Sequence, residues 1–332
     1  MRAGQTIFDC VVHVHNLRED NVIETDGRIA QNNIFRLTKL AKRGVDKPPT
    51  YSEFAIDWSP ERIGEMLFHA DSQIDYAMVQ TVPLFELYRD GLDVVEKQYR
   101  LAQLYPDKVI FCGGTDPVLR GTAGAMNDID RQIGELGARS IKFYNAHSRG
   151  RSWSMDDPHI AYPMFERMLD LGVNLVQVHK GNPMGPEPLS ALHAHDVAEA
   201  ALRYPEINFI VHHLGVPYED ETILIAARIP NVYLATSTWI NSILIAPIPT
   251  AQRIGKVLYY AGSEKLLWGS ETPLWQNPQR LLEVLWDFQI PEELQDGYGY
   301  PAITDEDRAN IFGGNMLRLL GMPQKALANA AA

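Results

Sequence analysis

Eight short runs rich in β-branched and aromatic residues alternate along this chain with eight longer segments whose apolar residues recur at helical spacing, and that rhythm limits the fold more than any other feature. The runs fall near 7–14, 74–81, 108–114, 138–143, 173–178, 207–212, 231–236 and 265–269. The helical segments lie near 60–72, 90–104, 123–136, 158–171, 189–203, 219–229, 250–261 and 277–288. Pro106, Pro205 and Pro230 closely follow three of them, where a residue without an N–H stops a helix. Strand and helix in strict alternation build a parallel sheet with crossover helices. Eight such units predict an α/β protein of the (β/α)8 TIM-barrel class. The 332 residues exceed the roughly 250 of a minimal barrel, which leaves room for insertions.

The extra length sits in three places. Residues 16–59, after the first strand, form a long polar, charge-mixed insertion where a lid over the barrel mouth would lie. Residues 144–157 make a second long loop after strand four. Thr304 and Asp307 resemble a capping box that opens a C-terminal helix over 305–320, ended by Gly321 and Pro323. No shift in composition marks a second domain, so one barrel over 1–324 is expected, with the Ala-rich 325–332 as a frayed tail.

Charge excludes some partners. With 30 Lys+Arg against 42 Asp+Glu, a net charge of −12 and no basic run, neither nucleic acid nor an anionic membrane surface is an expected partner. No stretch approaches the roughly 20 apolar residues of a membrane span, and the N-terminus lacks the apolar core of a secretion signal. Cys10 and Cys112 lie inside apolar runs, which suits buried thiols in a reducing compartment. A cytoplasmic protein is the expectation.

Metal-capable side chains gather at the C-terminal ends of the strands, where a barrel assembles its site. His13 and His15 alternate about Val14, so in an extended strand both imidazoles leave on one side, spaced to grip one ion. Strand four carries Lys142, strand five ends in His179, strand six in His212-His213, and Glu271 follows strand eight. Any one of these could be an ordinary satisfied polar residue. Their joint placement points to a divalent metal site with an open position, able to activate water or to chelate a carboxylate.

The chain resembles the amidohydrolase-related family of the metal-dependent hydrolase superfamily, in the branch that contains aromatic-acid decarboxylases. The likeness spans nearly the whole chain. It rests on His13-Val14-His15, Val178-His179, His213-Leu214-Gly215, Leu267-Trp268-Gly269-Ser270-Glu271-Thr272-Pro273 and Asn310-Ile311-Phe312-Gly313-Gly314-Asn315. The resemblance implies that His13, His15 and His179 bind a divalent ion, that Glu271 is a ligand or proton carrier, and that His213 is the acid/base. Lys142 and His213 stand as further candidate ligands. The family usually has Asp where this chain has Glu271, and the added methylene shifts the carboxylate unless the backbone retreats. Contact with a second ion, contact through water and simple replacement are all open.

The expected activity is decarboxylation or hydrolysis of a small carboxylated, in one version aromatic, metabolite. It would use one or two divalent ions, zinc or manganese first and iron after them. Two other readings stand beside it: a dinuclear iron or manganese oxygenase on the same fold, and a metal-holding partner subunit without activity. Arg149 and Arg151 could pair with a substrate carboxylate and Trp153 could stack on its ring, although Ser-Arg-Gly-Arg-Ser also suits a solvated loop. Lys180 carries the same ambiguity. His193 and His195 would fall two apart on a helix and so on different faces, which suits surface histidines. Asn315 is given no chemistry. A homo-oligomer follows from the resemblance, with a hetero-oligomer left open.

Overall fold

The computed structural model describes residues 1–43, 47–275 and 277–323. The tail expected at 325–332 lies outside the described residues. All eight strands form one parallel sheet in sequential order: β1 (Phe8–Val12), β2 (Tyr76–Gln80), β3 (Val109–Gly114), β4 (Ser140–Phe143), β5 (Leu175–Val178), β6 (Asn208–Val211), β7 (Val232–Ala235) and β8 (Leu266–Leu267). β8 is only two residues long, so closure onto β1 depends on the chain that follows it. Cys10 N donates to Trp268 O at 3.0 Å, Glu271 N to Val11 O at 3.0 Å and His13 N to Thr272 O at 2.9 Å. Gly269 permits this approach, since a Cβ there would sit 2.5 Å from Val11 Cγ2.

The two faces of each strand face different environments. Val79, Phe111, Ile141, Phe143, Val176 and Val178 belong to the large apolar cluster packed against the helices. Cys10, Met78, Cys112, Leu175, Ile210 and Leu267 cluster instead with Met316, Leu317 and Leu320, so the C-terminal helix plugs the barrel at the end where the strands begin. Strand alternation therefore turns Lys142, flanked by Ile141 and Phe143, into the barrel. Both cysteines are buried and free.

The insertion after β1 is more ordered than its polarity suggests. It contains a 17-residue helix, α1 (Asp26–Lys42), which buries Ala30, Ile34, Thr38 and Ala41 along one face at helical spacing. A capping box on Thr50 and Glu53 opens the short helix Tyr51–Phe54. The capping box on Thr304 is present as well. It starts a helix that passes through a π-turn at Asn310–Gly314 and ends at left-handed Gly321. Asn315 is structural: its amide donates to Ser263 O at 2.8 Å and Leu266 O at 2.7 Å. Among the described residues no helix is long and apolar enough to cross a membrane.

Candidate metal centre

Beyond Val12 the chain carries His13 and His15 side by side, their rings 4.9 Å apart and nearly parallel. One carboxylate holds both. Asp93, in the loop after β2, accepts from His13 Nδ1 at 2.6 Å through Oδ2 and from His15 Nδ1 at 2.5 Å through Oδ1. Burial alone would raise the Asp93 pKa, but the pull of His15 and His13 and their two hydrogen bonds prevail and hold it far below the usual range. His13, His15 and Asp93 offer ligand atoms within 4.8 Å of one another. Asp93 is nevertheless committed to the two Nδ1 atoms. That fixes both tautomers and leaves the two Nε2 lone pairs as the open donors, the usual arrangement of a carboxylate behind a metal-binding histidine.

Two further histidines form a second pair. His179 leaves β5 with its backbone N donating to Phe143 O, and its ring stacks on Tyr144 at 4.5 Å. His213 follows β6 in a left-handed stretch, φ 57°, that continues through Leu214 and Gly215. Gly215 is required there on two counts, its φ of 67° and a Cβ position 2.2 Å from Thr222 Oγ1. His213 Nδ1 lies 3.1 Å from Ser237 Oγ, and its Nε2 lies 3.2 Å from His179 Nδ1. If His213 donates through Nδ1 and accepts through Nε2, His179 is left with a free Nε2 lone pair. Burial, first of all, lowers the pKa of His15 and His179 and brings His213 down to about 4, so all three rings are neutral near pH 7.

Glu271 completes the ring of side chains. Its φ of 63° is left-handed, a strained conformation for a residue with a side chain. Oε1 sits 3.6 Å from His13 Nε2 and Oε2 4.0 Å from His213 Nδ1. Burial raises its pKa, but attraction to His213, His13, Lys142 and His15 in their protonated forms outweighs that and lowers it below the ordinary glutamate value. His15 Nε2, His179 Nε2 and Glu271 Oε2 are all buried without a hydrogen-bond partner. Three such atoms facing one cavity are costly unless a further group satisfies them. A divalent cation fits this set of neutral imidazoles and a carboxylate.

Lys142 occupies a layer inside the barrel and does not line this cavity. Its ammonium donates to Gln80 Oε1 at 2.6 Å and lies 3.5 Å from His212 Nδ1, while His212 Nε2 meets Gln177 Oε1 at 2.7 Å. Burial pushes the amine down to about 8. Asp9, unsuspected from sequence, accepts from Ser270 N at 2.8 Å and so ties β1 to the Glu271 loop. Burial lifts its pKa to about 7.

The structure turns the expected substrate-binding trio elsewhere. The Arg149 guanidinium is taken by Asp26, at the start of α1, at 2.9 and 3.1 Å. Arg151 donates to Glu86 at 2.9 Å, and Ser148 Oγ bridges Asp26 and Glu86. Trp153 is buried edge-on against Phe143. None of the three lines the cavity, because acids of neighbouring loops have claimed both arginines and the core has claimed the indole. Lys180 is likewise a buried partner of Asp196, at 2.8 Å. His195 is exposed, and His193 stacks on Tyr218 beside Glu221.

The cavity, open to solvent on one side, spans about 620 Å³. His13, His15, His179, His213 and Glu271 line its inner end, and α1 covers it with Ile34, Leu37 and Thr38. The remaining wall is mostly apolar, including Val82, Tyr144, Met184 and Trp275.

A family model described as Amidohydrolase matches residues 68–322. The chain belongs to that family. The amidohydrolase fold is shared with an uncharacterised TIM-barrel protein from Bordetella bronchiseptica, at 19% identity and TM-score 0.68 over 95% of this chain and 98% of that one. It is shared too with 5-carboxyvanillate decarboxylase from Sphingomonas paucimobilis, at 14% identity and TM-score 0.60 over 96% and 100%. A dihydroxybenzoic acid decarboxylase from Polaromonas sp. JS666, with bound manganese and 2-nitroresorcinol, matches at 13% identity and TM-score 0.56 over 96% and 97%. At these identities the likeness is one of fold. Comparison with proteins of curated function returns no match.

Proposed function

We propose that this amidohydrolase is a divalent-metal-dependent decarboxylase of a small aromatic or otherwise unsaturated carboxylic acid. The observation that carries the reading is the set of unpartnered buried atoms, His15 Nε2, His179 Nε2 and Glu271 Oε2, at the closed end of an apolar cavity. His13, His15 and His179 through Nε2, with Glu271, would hold the ion. When bound, a zinc- or manganese-like ion supplies a Lewis acid for the substrate carboxylate and a neighbouring oxygen. The bound manganese and the aromatic-acid activity named for structural relatives support the same choice.

The chain's own groups do the rest. Asp93 fixes the two imidazoles that follow β1 before substrate arrives, so no reorganisation is needed at the moment of reaction. Ile34, Leu37 and Tyr144 hold the organic body away from water. When the bond to the carboxylate breaks, the electron pair stays on the ring carbon and carbon dioxide leaves. That carbon takes a proton that originates in water, which Glu271, beside His213 at 4.0 Å, would first accept and then pass on.

Hydrolysis is the second reading, favoured by the unpartnered Glu271 Oε2, a carboxylate oxygen able to accept a proton from water. One experiment separates the two. The purified protein is incubated in D2O with a panel of hydroxybenzoates and of aryl lactones, and carbon dioxide, ring deuterium and free acid are measured. Decarboxylation predicts carbon dioxide with one deuterium at the vacated carbon. Free acid from the lactones without carbon dioxide would refute it in favour of hydrolysis.

A further inference from the structure

At the C-terminal end of α1 lies a second concavity, a solvent-open groove of about 710 Å³. Thr38 and Leu274 line both this groove and the metal-site cavity, so the two spaces adjoin at these residues. The groove is fixed to the site through the backbone, because Trp58 N donates to the carbonyl of His15 at 2.9 Å. Its charge is opposite to that of the protein. Lys42, Lys47 and Arg62 line it in a chain of net charge −12, and among the described residues no ion pair joins any of the three to a carboxylate. Glu53, the one acid of the groove, is engaged in the capping box on Thr50. Arg62 lies over the Trp58 indole at 4.3 Å, a flat cationic platform. By contrast, no Lys or Arg lines the inner cavity among the described residues.

We propose that this groove is a landing site for an aromatic monocarboxylate, the ring resting on the Trp58–Arg62 platform and the anion held by Lys42, Lys47 and Arg62 before it passes to the inner cavity. The proposal rests on the anionic substrate of the function proposed above. It narrows the substrate class. A body bearing a second fixed charge finds no counter-ion beyond the metal-site end, whereas one carboxylate on an apolar ring finds cations at the entrance and an apolar wall within. The cations also raise the local concentration of an anion that the rest of the protein repels.

The probe is 4-fluorobenzoate, followed by fluorine NMR against the purified protein, with neutral 4-fluorobenzamide as control. Arg62→Glu and Lys42→Glu each change two charge units on an accessible surface. At roughly 8 Å in water this weakens the low-salt affinity about fivefold. Added salt weakens wild-type binding in the same direction, and the amide responds to neither change. His15→Ala separates this site from the metal site: it removes ion-dependent binding while leaving the salt-sensitive component. Unchanged benzoate affinity in both charge variants overturns the landing site and leaves the metal site standing. A His15→Ala profile identical to wild type overturns the proposed function and leaves the landing site standing.

Discussion

Asp93→Asn is the sharpest perturbation of the centre, because one carboxylate orients two imidazoles. Asparagine has nearly the same shape, so the fully buried position stays filled. It offers only one accepting oxygen, and its amide NH2 would face the second Nδ1–H, donor against donor. That ring must turn or change tautomer, and its Nε2 lone pair leaves the cavity. Loss of an orienting partner behind a metal-binding histidine costs about 10- to 100-fold in ion affinity. With two rings sharing the partner, the upper end applies: about 100-fold, or about 2.7 kcal/mol. The assay is competition for zinc or manganese against a chelator of known affinity, with circular dichroism to verify the fold. An affinity within about threefold of wild type in a folded variant would refute the reasoning, and the two Nε2 atoms would not be the donors.

The β4 loop and the buried acids around it yield two more expectations. Arg149→Met frees Asp26 at the start of α1 and so loosens the helix that roofs the cavity; KM for a turned-over acid rises several-fold with kcat little changed, and unchanged kinetics would show that α1 needs no such tie. His147 lies buried 3.4 Å from Glu86 and 3.6 Å from Asp116. Burial lowers its pKa, but Glu86 and Asp116 outweigh burial and raise it above the ordinary 6.5, while Glu86 ends below its ordinary 4.5 because His147 and Ser148 overcome its own burial. The imidazolium's contribution to stability is therefore complete below pH 6.5 and lost as pH rises through its folded value; that of Glu86 is complete above pH 4.5 and lost as pH falls through its own. Asp116 works against the pair, since burial raises its pKa. The stability deficit of His147→Gln, read by denaturant unfolding, should be largest between about pH 4.5 and 6.5 and shrink on the alkaline side, and a pH-independent deficit would contradict the ion-pair account.

The barrel was legible because each strand is a short apolar run and each crossover helix keeps its own period. Strand-end placement also brought His13, His15, His179, His213 and Glu271 onto one list, since a barrel has only one end where such residues converge. What escaped depends on contacts between distant segments. Asp93 sits in the apolar stretch Leu92-Asp93-Val94, a buried-acid signal, but its partners are 78 and 80 residues away. Asp9, in the middle of β1, carries the same signal. Arg149 and Arg151 read as anion receptors only until Asp26 and Glu86 are folded against them. The helix α1 was written in Ala30, Ile34, Thr38 and Ala41, and its polar residues concealed that face.

Anomalous scattering from crystals of the purified protein, recorded on either side of the absorption edge of the metal it contains, tests the central claim most directly. The account predicts one strong peak within about 2.0–2.3 Å of the Nε2 atoms of His13, His15 and His179, with a Glu271 oxygen at a similar distance. A peak held by other residues, or an ion coordinated through Asp93 in place of the imidazole Nε2 atoms, would contradict it.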